Sequence, residues 1–137
     1  MSFALHPRLM ADTVLIADWP LSRVLLMNDK RFPWIILVPR RAGLSELPDL
    51  DEDTRQSLMA EIGRASIKLR SWAKDRGSCD RINVGMIGNI VPQLHIHIVA
   101  RTKTDAAWPG VVWGTGQSLP YDAAELQRLV EEFRTFL

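Results

Sequence analysis

The sequence predicts an α+β domain in which an antiparallel sheet of about five strands carries one long helix and a C-terminal helix. Three observations predict it. Short apolar runs cluster ahead of the first helical pattern, a 3.6-residue period occupies residues 49–76, and two more strand-like runs precede a last helical segment. The order is therefore β-β-β-α-β-β-α, with the strands grouped as hairpins require.

Asp12 to Trp19 and Ser22 to Asn28 are partly β-branched runs split by Pro20-Leu21, which reads as two consecutive strands followed by a turn at Asn28-Asp-Lys-Arg31. Trp34 to Val38 is continuously apolar between Pro33 and Pro39, the pattern of a buried strand. Over 49–76, Leu58, Ile62, Ala65, Leu69 and Trp72 form one helical stripe. Asp49, Asp51, Glu52 and Asp53 suit its positive end, and Lys74, Arg76 and Gly77 suit its C-terminus. Arg81 to Gly85 and Gln93 to Ala100 read as strands joined by Met86 to Pro92. In the second, Leu94, Ile96 and Ile98 face one way while Gln93, His95 and His97 face the other. Residues 101–120 form an irregular tail. Asp122-Ala-Ala-Glu125 resembles a capping box opening a helix over 122–136, striped by Leu126, Leu129, Val130, Phe133 and Phe136. Residues 1–137 are expected to form a single domain.

A chain of 137 residues, 47% of them hydrophobic, can bury a core without disulfides or a structural metal. Its net charge of +1 provides no broad basic field, so dedicated nucleic-acid binding is not expected. Cys79 is the only cysteine, which excludes an internal disulfide and multi-cysteine metal sites. No apolar run approaches the roughly 18 residues a bilayer span needs, and the first residues lack the pattern of a secretory leader. A cytoplasmic protein without membrane association is expected.

His95 and His97 share one face of a predicted strand, with side chains about 7 Å apart along it. Three readings fit such a pair. It can be a solvated polar face, or half of a zinc or iron site. The metal reading lacks further ligands: Val99 stands where a third would alternate, no Glu occurs over Ile98 to Thr104, and His6 is distant in sequence and precedes Pro7. The third reading is nucleophilic catalysis on phosphorus. A neutral imidazole attacks without prior deprotonation and leaves a phosphoramidate that water later opens. Gly85, Gly88 and the backbone around Asn89 allow close approach to a phosphate.

Asn83-Val-Gly85 followed by Gly88-Asn-Ile-Val-Pro-Gln-Leu-His-Ile-His-Ile-Val-Ala-Arg101 resembles the signature of the histidine triad (HIT) superfamily of nucleotide hydrolases and transferases. Ile35 to Arg40 is similar to the family's apolar strand ending in Pro-Arg or Pro-Lys, and the resemblance covers most of residues 3–115. It implies a HIT-like fold, with His95 as the nucleophile and His97 as the third triad residue, beside the reacting phosphate. It places Asn28 at the ribose hydroxyls, Leu26 against the base, and Asn83, Gly88, Asn89 and Ile90 on the phosphate side. It further implies hydrolysis or nucleotidyl transfer at the α-phosphate of a purine nucleotide derivative, by a homodimer in which Trp108-Pro109-Gly110 reaches toward the second subunit. No tightly bound cofactor is expected; a divalent cation would come only with a polyphosphate substrate. The chain departs from the pattern at Gln93, in the first triad position, and at Ala42, where many members have another histidine. Glutamine hydrogen-bonds but does not titrate, so it is no general acid. That departure keeps open a second expectation, a nucleotide-binding or adaptor protein with negligible turnover.

Arg40, Arg41, Arg101 and Lys103 suggest either a cationic rim for polyphosphate or a solvated surface. Trp108 and Trp113, in the irregular tail, suit stacking on a base or packing across a dimer. Trp19, Trp34 and Trp72 read as core, and Cys79 as a small loop or core residue.

Overall fold

A computed structural model describes residues 2–137. A short helix, α1 (Pro7–Asp12), precedes strands β1 (Thr13–Asp18), β2 (Ser22–Met27) and β3 (Trp34–Pro39). A single 3-10 turn at Leu47–Asp49 leads into helix α2 (Glu52–Asp75), followed by β4 (Arg81–Gly85), β5 (Ile96–Arg101) and α3 (Ala123–Phe136). The five strands form one open antiparallel sheet in the order β1-β2-β3-β5-β4.

Both long helices lie on one face of the sheet. Leu58, Ile62, Ala65, Leu69 and Ala73 of α2 pack with Leu26, Ile35, Ile96 and Ile98, and Val130 and Phe133 of α3 close the same core. Trp72, expected on the stripe, is partly buried against it and stacks on Phe133 at 4.8 Å. Asp51 caps α2 by accepting from the Thr54 N–H at 2.8 Å, and Asp122 caps α3 through the Glu125 N–H at 2.8 Å. Each such cap contributes about 1 kcal/mol. The buried Glu61 carboxylate accepts from the Leu21 and Ser22 N–H groups, both at 2.9 Å, and so ties the β1–β2 turn to α2.

The opposite face carries a second core of Leu25, Trp34, Ile36 and Val99 beneath Leu9 of α1 and Val112 of the tail. Residues 102–120 contain neither helix nor strand, whereas Arg101, expected in the irregular tail, ends β5. They are held down across this face. Arg31 pairs with the buried Asp29 at 2.8 Å and donates to the Thr115 carbonyl at 2.6 Å, while the Lys30 N–H donates to the Leu119 carbonyl at 2.7 Å.

Two expectations shift. The sequence reading has no helix before the first strand, whereas Pro7 opens α1 with His6 as its cap; six residues are too few to show a period. The last strand begins at Ile96 rather than Gln93, since β3 and β4 pair only with Ile96 onward. The Leu94 N–H donates instead to the Leu44 carbonyl at 3.0 Å. Among the described residues no helix is long and apolar enough to cross a membrane.

Candidate active site

His95 and His97 emerge on the tail-covered face and are both buried. Their rings meet edge to face at 4.8 Å between centroids, closer than regular strand spacing because His95 precedes the ladder. The partners of each ring assign its tautomer. His95 Nδ1 lies 2.7 Å from the Gln93 carbonyl oxygen, which only accepts, so Nδ1 carries the proton and Nε2 keeps a bare lone pair. His97 Nδ1 lies 3.1 Å from Trp34 Nε1, which only donates. His97 therefore carries its proton on Nε2. Side by side, the two imidazoles present opposite characters, a nucleophilic nitrogen and an N–H donor.

Burial keeps both rings neutral. It lowers the pKa of His95 below the ordinary 6.5, against an opposing contribution from the Gln93 carbonyl. It lowers that of His97 to about 4, with the charge of a protonated His95 acting in the same direction. The His97 ring sits between Trp34, at 5.6 Å, and Trp113, at 5.5 Å. Gly85 makes room for the second indole: a Cβ there would stand 2.2 Å from Trp113 Cζ2.

Two clefts meet at His95. One, of about 360 Å³, is lined by Arg8, Met27, Ile36, His97 and Trp113. It continues toward Asn28, Trp34 and Gly116. The other, of about 450 Å³, lies between Ser45–Pro48 and Met86–Asn89. Gly88 and Asn89 border both, and Gly88 turns the loop with φ of +62°, a conformation that glycine adopts without strain. Among the described residues no three His, Cys, Asp or Glu side chains are grouped to hold a metal ion.

The HIT domain family profile matches residues 8–104. The chain belongs to the HIT family. A histidine triad protein from Bradyrhizobium japonicum is 46% identical over 99% of this chain and 98% of its own, with a TM-score of 0.91. One from Marinobacter aquaeolei is 41% identical, covering 97% of this chain and 93% of its own at a TM-score of 0.89. A third, from Sinorhizobium meliloti, is 37% identical over 98% and 97% respectively, also with a TM-score of 0.89. No curated protein matches the chain. The HIT family includes nucleotide hydrolases and transferases.

Of the residues expected in a HIT site, the fold gathers His95, His97, Gly88, Asn89 and Ile90 around one cleft, and Asn28 borders its extension. The Asn28 side-chain oxygen accepts from the Tyr121 N–H at 3.0 Å. Leu26 is a correction. It pairs with Ile35 and faces the helices, while its neighbour Met27 lines the cleft. Asn83 shares the face of His97, but its oxygen accepts from Arg101 Nη1 at 2.8 Å, inside a network in which Arg101 also grips Asp105 at 2.7 Å. Arg101 is only 1% exposed, which removes it from the expected cationic rim. Arg40 leaves the rim too, donating to the Trp19 and Pro20 carbonyls. The cation that does border the cleft is Arg8, from α1.

Gln93 was expected to turn its amide toward the site. Both ends of that amide are instead bonded to the N-terminal segment: Oε1 accepts from the His6 N–H and Nε2 donates to the Ala4 carbonyl, each at 2.8 Å. The sequence reading missed Trp34 as a site residue. A signal existed, because Trp34 and Ile36 alternate along β3 and Ile36 pairs with His97, but a tryptophan in a buried apolar run reads first as core.

Proposed function

We propose that this protein is a nucleotide hydrolase or nucleotidyl transferase acting at the α-phosphate of a purine nucleotide derivative through a nucleotidyl-His95 intermediate. The observation that carries the reading is the pair of oppositely fixed tautomers. A bare Nε2 on His95 attacks phosphorus without losing a proton first, and the Nε2–H of His97 beside it donates to a non-bridging oxygen as charge grows there. Backbone N–H groups over Gly88 to Ile90 add donors at the same phosphate. The N–P bond forms from the His95 lone pair, the bond to the leaving group breaks with its electron pair departing, and water then opens the intermediate. Asn28, Met27 and Trp113 flank the cleft that would take the nucleoside. A divalent cation enters only as the companion of a polyphosphate substrate. The exposed Val84 and Met86 at the open edge of the sheet support a homodimer, which sedimentation equilibrium tests.

The test is incubation with labelled adenosine nucleotides, denaturation in alkaline detergent, and detection of an adduct stable to base and labile to acid. His95→Ala should lose the adduct and turnover while keeping nucleotide affinity within about tenfold. Reversible binding without an adduct in the wild type, or an adduct that survives in His95→Ala, overturns the reading.

A further inference from the structure

A substrate phosphate brings negative charge into a cleft whose two imidazoles are neutral, so the cations along the wall decide how that charge is met. Among the described residues, Arg8 is the one lysine or arginine that lines the cleft around His95 and His97. The others expected there are committed elsewhere. Arg40 donates to the Trp19 and Pro20 carbonyls, and Arg101 grips Asp105. Arg31 borders only the extension of the cleft, where it is paired with Asp29 and donates to the Thr115 carbonyl.

Arg8 lines that extension as well as the cleft proper. Asp12, Met27, Trp113 and Gly114 do the same, so together they mark the junction between the Asn28 end and the His95 end, where a bound nucleotide carries its 5′-phosphate. The guanidinium there is available. Its ion-pair partner is Asp12, one turn further along α1, at 3.8 Å from Nε, which is too long for a hydrogen bond.

What places Arg8 at this junction is the anchoring of α1 at both ends. At the C-terminal end the Asp12 carbonyl accepts from the Asn28 N–H at 3.0 Å, and in the middle Leu9 is buried in the second core. At the N-terminal end the Gln93 amide holds the segment by accepting from the His6 N–H and donating to the Ala4 carbonyl, each at 2.8 Å. Gln93 stands two residues before His95, so one strand entry fixes both the histidine and the segment that carries Arg8.

We propose that Arg8 is a phosphate-binding residue of this site, its guanidinium on the non-bridging oxygens of a nucleoside 5′-phosphate, and that Gln93 is the positioning residue that sets it there. The inference rests on the nucleotidyl-transfer reading above. The planar fork of N–H donors matches two phosphate oxygens at once, and its charge offsets theirs. Gln93 thus acts on the substrate through Arg8, without touching it.

The test is titration calorimetry with AMP and GMP, each against its parent nucleoside. Arg8→Gln should weaken nucleotide binding about tenfold, because the bond is charge-assisted but water screens a side chain that is 58% exposed. Nucleoside binding should stay within about twofold. Arg8→Lys keeps the charge without the fork and should lose about threefold, while Asp12→Asn removes the competing carboxylate and should tighten the nucleotide about twofold. Raising salt to about 0.5 M should narrow the wild-type gap between nucleotide and nucleoside and barely move that of Arg8→Gln. Gln93→Ala, which leaves the residue 93 carbonyl for His95, should weaken nucleotide but not nucleoside, and should add nothing to Arg8→Gln. Equal losses for nucleotide and nucleoside in Arg8→Gln, or no loss, overturn the role of Arg8. A Gln93→Ala loss that adds in full to that of Arg8→Gln overturns the role of Gln93. The nucleotidyl adduct is scored separately: its absence alone overturns the reaction, and a wild type that binds neither nucleotide nor nucleoside overturns both.

Discussion

Replacing Trp34 by Phe removes one N–H from the site and little else that a substrate could touch. The indole donates to His97 Nδ1 at 3.1 Å in a buried position, and nothing else holds that nitrogen. Losing the bond orphans a buried acceptor, which costs about 1–3 kcal/mol, and the smaller ring leaves unfilled space as well. For a chain of this size, a loss of about 2 kcal/mol lowers Tm by roughly 6–8 °C. The catalytic effect has a separate origin. The bond biases the proton onto His97 Nε2, and withdrawing about 1.4 kcal/mol of that bias lowers kcat about tenfold with KM little changed. Steady-state kinetics at a temperature where the variant is fully folded measures the second effect, and nitrogen-15 NMR of the imidazoles reads the tautomer directly. In a His97→Ala background the Trp34→Phe change should no longer affect kcat, because the group it orients is absent. The reasoning is refuted if wild-type His97 carries its proton on Nδ1, or if the two substitutions multiply in full.

Gly85→Ala places a Cβ 2.2 Å from Trp113 Cζ2 and 3.0 Å from Cη2, an overlap that only a swing of the indole relieves. Losing its stacking beside His97 should weaken nucleotide binding about 2–10-fold by titration calorimetry, and unchanged affinity would remove Trp113 from the site. Acid should destabilise the fold before the carboxylates titrate. Unfolded histidines take protons below about pH 6.5, whereas His97 resists until about pH 4, so stability is full above that window and falls as pH drops through it, by up to about 3 kcal/mol for His97. Urea midpoints between pH 7 and 4.5 measure this, and His97→Gln should flatten the slope; an unchanged slope contradicts the assignment. The rate kcat/KM should hold level above neutrality and decline in acid, with a midpoint below 6.5, as His95 Nε2 takes a proton.

Local patterns in the sequence determined most of the fold. The α2 stripe, the proline-bounded β3 and the alternation of Leu94, Ile96 and Ile98 against His95 and His97 each follow from side-chain periodicity, which neighbouring residues set. The same alternation delivered the pair of histidines. What β2 presents to the cleft was not legible, because both its faces are covered and an unbroken apolar run carries no parity; pairing with Ile35 and Ile36 decided that Leu26 faces the helices and Leu25 and Met27 the opposite face, where Met27 lines the cleft. Tertiary structure alone brought His6 to Gln93, set the Trp34 N–H on His97 and turned Arg101 inward onto Asn83. Each depends on a hydrogen bond whose partner lies outside any local window. Sequence spacing can propose which groups share a face; only the packed chain decides which of them already have partners and which are left for a substrate.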